Sequence, residues 1–248
     1  MTGAPAPSAG TVVRTYYERP WRDRWTGRYT VAWDGGRVRA HTRFQDLQGR
    51  WPSWRSVLAL PMCVASYWEA RSRPLLKRPR PFLVVDAIRF LERTIRPGHR
   101  VLEVGGGNST LWFLERGATV TTVEHDPEWA AGIEVRYAAE RERFARAGSG
   151  GLSVHVLGGR KAVDFLEGLE GASFDLALID CANAVTLRVE ALRAARPKVK
   201  SGGWLVLDNS DHPQNWAAAR LMSGCAALRF TGFAPMSLGV SQTSAWRV

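Results

Sequence analysis

The spacing of apolar and polar residues changes along this chain, and the changes predict its elements. From Phe82 to Ile95 apolar residues fall at helical spacing, and Pro97-Gly98 closes the run. Val101-Leu102-Glu103-Val104 reads as a short buried strand. Residues 109–117 suit a helix and 118–124 a second strand. A charged, Ala-rich helix over 127–146 leads to a third strand at 152–157. A helix at 161–169, a strand at 174–180, a helix at 185–195 and a strand at 204–208 follow. Residues 214–227 read as a helix, and two strands, near 229–233 and 243–248, end the pattern. Strand and helix alternate five times. The expected fold is α/β: a doubly wound, mostly parallel, seven-stranded Rossmann-like sheet.

Before residue 82 the pattern is different. Residues 1–12 are small and Pro-containing and read as a frayed tail. Residues 13–55 alternate aromatic and basic side chains around turn signals. Asp34-Gly35, between Tyr29–Trp33 and Val38–His41, predicts a hairpin. Residues 56–70 read as a short helix broken at Pro61, followed by a Pro-rich basic linker. The expected organisation is a tail and a Trp/Arg-rich cap over residues 1–81, then a main domain over residues 82–248.

Charge sharpens that division. Residues 1–82 carry 15 Lys+Arg against 5 Asp+Glu, whereas the other 166 residues carry 19 against 18. The same third holds six of the eleven tryptophans: Trp21, Trp25, Trp33, Trp51, Trp54 and Trp68. So many tryptophans suggest a lid forming one wall of an acceptor pocket, or a homodimer interface. The basic excess suits an anionic small molecule, or phosphates with bases stacked on the rings. With 45% hydrophobic residues, global disorder is excluded. The longest apolar run, Val57 to Ala65, falls short of the roughly 20 residues of a membrane helix, so no membrane is expected. Cys63, Cys181 and Cys225 have no metal-site or CxxC spacing, and no secretory signal opens the chain. A cytoplasmic protein without disulfides is the expectation.

The chemistry concentrates at Glu103-Val-Gly105-Gly106-Gly107-Asn108-Ser109, where a strand runs through a glycine loop into a helix. Glycines let main chain approach a ligand closely, and the helix N-terminus offers free N–H groups. A dinucleotide fingerprint would place a third glycine where Thr110 stands. The E/D-x-G-x-G arrangement instead resembles the signature of class I S-adenosylmethionine-dependent methyltransferases, over residues 82–248. The second strand ends in Val123-Glu124-His125-Asp126, where that family places an acid on the cofactor's ribose hydroxyls.

The resemblance implies S-adenosylmethionine as cofactor. It implies contacts from Glu103, Gly105, Gly106, Gly107, Asn108, Ser109, Glu124, His125 and Asp180. Glu103 has a second reading as a partner of the loop itself, and His125 one as packing beside the adenosine. Asp180, Asp208 and Asn209 lie at the ends of the fourth and fifth strands, where open α/β sheets gather their ligands. Asp180 and His212 are the candidate catalytic groups, and Asp208 and Asn209 the candidate acceptor contacts. Metal-dependent relatives place ligands at Asp180, Asp208 and Asn209, with a lysine where this chain has Asn183. No metal is therefore expected. The expected activity is methyl transfer to an oxygen or nitrogen of a small-molecule acceptor. An RNA methyltransferase and a non-enzymatic cofactor-binding protein are the alternatives.

Overall fold

The computed structural model describes residues 29–33 and 37–41, then 44–72, 75, 77–181 and 188–248. The expected tail, the Asp34-Gly35 turn, Trp21, Trp25 and Asn183 lie outside the described residues. β1 (Tyr29–Trp33) and β2 (Arg37–His41) pair antiparallel, as the hairpin signal implied. α1 (Trp54–Leu58) and α2 (Leu60–Ser72) follow. The helical stretch is interrupted at Ala59, beside the expected break, and Pro61 lies in the first turn of α2. In the first turn its missing N–H has no partner to lose.

The main sheet alternates strand and helix as expected. Its elements run α3 (Val85–Thr94), β3 (Arg100–Val104), α4 (Asn108–Leu114), β4 (Thr119–Glu124), α5 (Pro127–Arg146), β5 (Leu152–Val156), α6 (Gly159–Gly168) and β6 (Phe174–Ile179). Then come α7 (Arg188–Ala195), β7 (Val199–Leu207), α8 (Ala217–Leu221), β8 (Ala227–Phe233) and β9 (Val240–Arg247). The strand order is β5-β4-β3-β6-β7-β9-β8. β5 through β7 are parallel neighbours, and β9 runs antiparallel to both β7 and β8.

Two elements depart from the sequence expectation. The helix expected over 214–227 shrinks to α8, because the chain turns at Gly224 with φ +90° and then enters β8. β7 begins five residues early and takes in Gly202-Gly203. A side chain at 203 would meet the Asp175 carbonyl oxygen at 2.8 Å, so this glycine pair is a strand irregularity and not a turn.

Both sheet faces are covered, so the central strands are apolar on alternate sides. Along β6, Leu176 and Leu178 pack with α3 and α4 residues such as Leu91 and Phe113. Ala177 and Ile179 point the other way, toward Val163 and Leu166 of α6 and Leu192 of α7. Residues 44–72 dock at the β8 end. The Phe233 N–H donates to buried Ser56 Oγ at 2.7 Å, and Cys63 packs with Val85 and Phe233. Asp46 accepts from Gln242 Nε2 at 3.0 Å, and Asp211 Oδ2 accepts from the Leu47 N–H at 2.9 Å. Trp51, Trp54 and Trp68 are 65%, 68% and 61% exposed and stand outside the core. Among the described residues no helix is long and apolar enough to cross a membrane.

Candidate functional site

The helices after β3 and β6 leave on opposite faces of the sheet, and a cleft opens between the two strand ends. The adjoining main chains are tied there. The Asp180 N–H donates to Val104 O at 2.8 Å, and the Gly105 N–H to Val123 O at 2.8 Å. Gly105 has φ +98°, and a Cβ on it would stand 2.6 Å from the Asp180 carbonyl carbon. Only glycine fits both the conformation and the space. A Cβ at 106 would meet Thr122 Oγ1 at 2.7 Å, and one at 107 would meet Trp129 Nε1 at 3.2 Å. The result is a cleft of about 440 Å³ with a wall of bare main chain from Gly105 to Gly107.

Three side chains hold that wall. Glu124, 4% exposed, accepts from the Gly106 N–H at 2.9 Å through Oε2. Its Oε1 accepts from the His125 and Asp126 N–H groups at 2.7 and 2.9 Å and lies 2.7 Å from His125 Nδ1. The Trp129 indole N–H donates to Gly106 O at 2.7 Å. Beneath the loop, fully buried Glu103 accepts from the Thr110 hydroxyl, and Thr110 Oγ1 accepts from the Gly107 N–H at 2.9 Å. Burial pushes the Glu103 carboxyl up to about 7, against the hydroxyls of Ser109, Thr110 and Thr122, which favour its ionised form.

The opposite wall centres on Arg188, the first residue of α7 and 6% exposed. Its guanidinium donates to Cys181 O, to Asp208 O at 2.7 Å, to Asn209 Oδ1 at 3.2 Å and to Asp180 Oδ1 at 3.4 Å. Burial and the neighbouring Asp208 carboxylate push Asp180 well above the usual carboxylate range, and Arg188 opposes them. Burial likewise raises Asp208, whose Oδ1 accepts from Thr243 Oγ1 at 2.6 Å. Asn209 sits in the left-handed region at φ +49°.

Of the residues singled out in the sequence, Gly105, Gly106, Gly107, Asn108, Ser109, Asp180 and Asn209 line the cleft. Glu103, Glu124, His125 and Asp208 do not line it. His212 does not either: its Nδ1 accepts from the Gln214 N–H at 3.4 Å, and burial lowers its pKa to about 4. The lining also includes Ala70, Phe82, Trp129, Arg188 and Met236, which the sequence reading did not assign to the site. Arg188 had one signal: a cation in the first turn of a helix opposes the helix dipole and needs another partner. Trp51, Trp54 and Trp68 do not line this cleft. The expected cap contributes Ala70. Among the described residues no group of three His, Cys, Asp or Glu side chains is placed to hold a metal ion.

A family model described as a methyltransferase domain matches residues 102–210. Comparison with curated proteins gives no match. The fold resembles that of the O-methyltransferase TomG from Streptomyces achromogenes, involved in tomaymycin synthesis and solved with S-adenosylmethionine. The two share 18% identity over 75% of this chain and 88% of that one, with a TM-score of 0.51. An O-methyltransferase from Bacillus cereus, in complex with S-adenosylhomocysteine, shares 17% identity over 79% of this chain and 92% of that one, also at 0.51. The domain match over residues 102–210 and the strand order make this chain similar to the class I S-adenosylmethionine-dependent methyltransferases.

Proposed function

We propose that this protein transfers a methyl group from S-adenosylmethionine to an oxygen or nitrogen of a small-molecule acceptor, in the cleft between β3 and β6. The observation that carries this reading is the Gly105–Gly107 wall. Bare main chain, held from behind by Glu124 and Trp129, leaves space that any side chain would fill. A small ligand with polar edges suits such a wall.

S-adenosylmethionine, when bound, would supply an activated methyl group to the acceptor's lone pair, and the protein would have to receive the acceptor's proton. The protein's main task is then alignment. Gly105, Gly106, Gly107, Asn108 and Ser109 contact the cofactor, and Glu124 with His125 lies toward its ribose. Glu103 acts from beneath as a positioning residue for the loop. Asp180 faces the cleft and takes the acceptor's proton. His212 is the weaker candidate, because its Nδ1 is already an acceptor in a turn. Asn209 lines the acceptor side, with Asp208 behind it.

Calorimetry tests the reading: S-adenosylmethionine and S-adenosylhomocysteine should bind and NAD should not. No heat with either sulfur ligand overturns it. A screen of cell extracts for products heavier by one methylene then names the acceptor class. The exposed Trp51, Trp54 and Trp68, with Arg55 over Trp54 and Arg71 over Trp68, favour a second reading as an RNA methyltransferase. A salt-dependent RNA mobility shift would support that one.

A further inference from the structure

Arg188 and Asp180 leave one donor and one acceptor unused, side by side, in the cleft. A guanidinium carries five N–H groups. The Nε–H donates to Cys181 O, and both Nη1 hydrogens are taken by Asp208 O and Asn209 Oδ1. One Nη2 hydrogen points to Asp180 Oδ1 at 3.4 Å. The other has no partner among the described residues. Asp180 uses Oδ1 for Arg188, and its Oδ2 accepts no hydrogen bond from any described residue. Both residues line the cleft, yet the Asp180 side chain is only 13% exposed and that of Arg188 6%. The unused donor and acceptor both face the cleft, where water or a ligand completes them.

We infer that this pair selects a hydroxyl as the methyl acceptor, with Arg188 Nη2 donating to the acceptor oxygen and Asp180 Oδ2 receiving its proton. The inference rests on the methyltransferase reading and narrows its acceptor to oxygen. A hydroxyl oxygen has two lone pairs. One accepts from Arg188 and the other attacks the methyl, while the O–H proton passes to Asp180. A neutral amine has a single lone pair: if it accepts from Arg188, it has none for the attack. An ammonium has none at all and meets the guanidinium as a like charge. The four fixed hydrogen bonds of Arg188 hold the fifth N–H in one direction, which a lysine ammonium does not reproduce.

The experiment uses the full chain with S-adenosylmethionine and, as isosteric acceptors, phenol and aniline at pH 7.5, with methylated product followed by mass spectrometry. Phenol should be methylated about tenfold faster than aniline, the scale of one hydrogen bond to a charged group kept during the attack. In Arg188→Lys and Arg188→Gln that preference should fall to about twofold or less, with folding checked by circular dichroism. A role in fold alone would change both probes equally and leave the ratio intact. If neither variant folds, the comparison in the unaltered protein still decides. Equal methylation of the two acceptors, no phenol methylation, or an unchanged ratio in a folded variant overturns the inference. Failure of S-adenosylhomocysteine to bind is a different result, and it removes the methyltransferase reading itself.

Discussion

Gly105 at the end of β3 lies against the main chain of Asp180 at the end of β6, so close that a Cβ would stand 2.6 Å from the Asp180 carbonyl carbon. The floor of the cleft is this main-chain contact. Gly105→Ala adds a Cβ at φ +98°, in a region that non-glycine residues occupy at a cost of about 1–3 kcal/mol. The clash with immobile backbone adds to that strain. The variant should melt several degrees lower and lose S-adenosylhomocysteine binding. Unchanged melting with unchanged affinity would show that the two strand ends can part freely.

Glu124 joins two loops, accepting from the Gly106 N–H after β3 and from the His125 and Asp126 N–H groups after β4. Glu124→Ala therefore removes both the proposed ribose contact and the brace behind the glycine wall. Cofactor affinity should fall by about 1.5–3 kcal/mol, roughly ten- to a hundred-fold in Kd. Glu124→Gln keeps the shape but turns an amide donor toward N–H donors, so it should lose affinity as well. Calorimetry with S-adenosylhomocysteine checks both; wild-type affinity in Glu124→Ala would move the ribose contact elsewhere.

Glu103 gives a pH signature. Its carboxyl is raised from an ordinary 4.5 to about 7 by burial. The folded protein thus keeps a proton that the unfolded chain releases. This contribution to stability is full below pH 4.5 and is lost as pH rises through 7. Asp211, raised from 3.8 to about 7 by burial and by Asp46, acts in the same direction. His212, lowered from 6.5 to about 4, acts oppositely: its contribution is present above pH 6.5 and is lost as pH falls toward 4. Comparison with Glu103→Gln isolates one group from this mixture. Relative to the parent, the variant should gain about 3 kcal/mol between pH 4.5 and pH 8. Denaturant titrations at the two pH values measure it, and parallel curves would mean that Glu103 ionises in the folded state as it does in the unfolded chain.

The sheet was legible because its signal is local. Runs such as Val101–Val104 and Phe174–Ile179 are apolar on both faces and lie between helices of clear period, and the glycine loop sits at a strand end. Of the second wall, Asp180 and Asn209 stood out as strand-end residues, but the arginine that joins them did not, because its logic is non-local. Arg188 looks like any arginine at the start of an amphipathic helix, and only the fold brings it to Asp208 and Asn209, twenty and twenty-one residues on. Met236 and Phe82 reach the cleft from opposite ends of the main domain. His212 and Asp208 are ambiguous in the sequence for another reason. Polar residues after a strand suit turns and sites equally well, and here His212 caps a turn while Asp208 bonds to Thr243.

The same arginine bears on metal. Asp180, Asp208 and Asn209 are the three positions at which the sequence resemblance implied ion ligands in metal-dependent methyltransferases. Here the Arg188 guanidinium already donates to Asp180 Oδ1, Asn209 Oδ1 and the Asp208 carbonyl, and Asp208 Oδ1 is bonded to Thr243. A divalent ion entering this set would face the guanidinium charge across a few ångströms of buried space, where such repulsion is poorly screened. It would also have to break the Arg188 bonds, and hard cations need several free oxygens at once. The expected outcome is an initial methylation rate that does not change in excess EDTA and does not rise when magnesium is restored. Arg188→Ala supplies the converse: with the guanidinium gone, calorimetry should detect weak magnesium binding absent from the parent. A parent rate abolished by EDTA and recovered with magnesium would show that the ion displaces Arg188 in the working enzyme, and the three residues would then be its ligands.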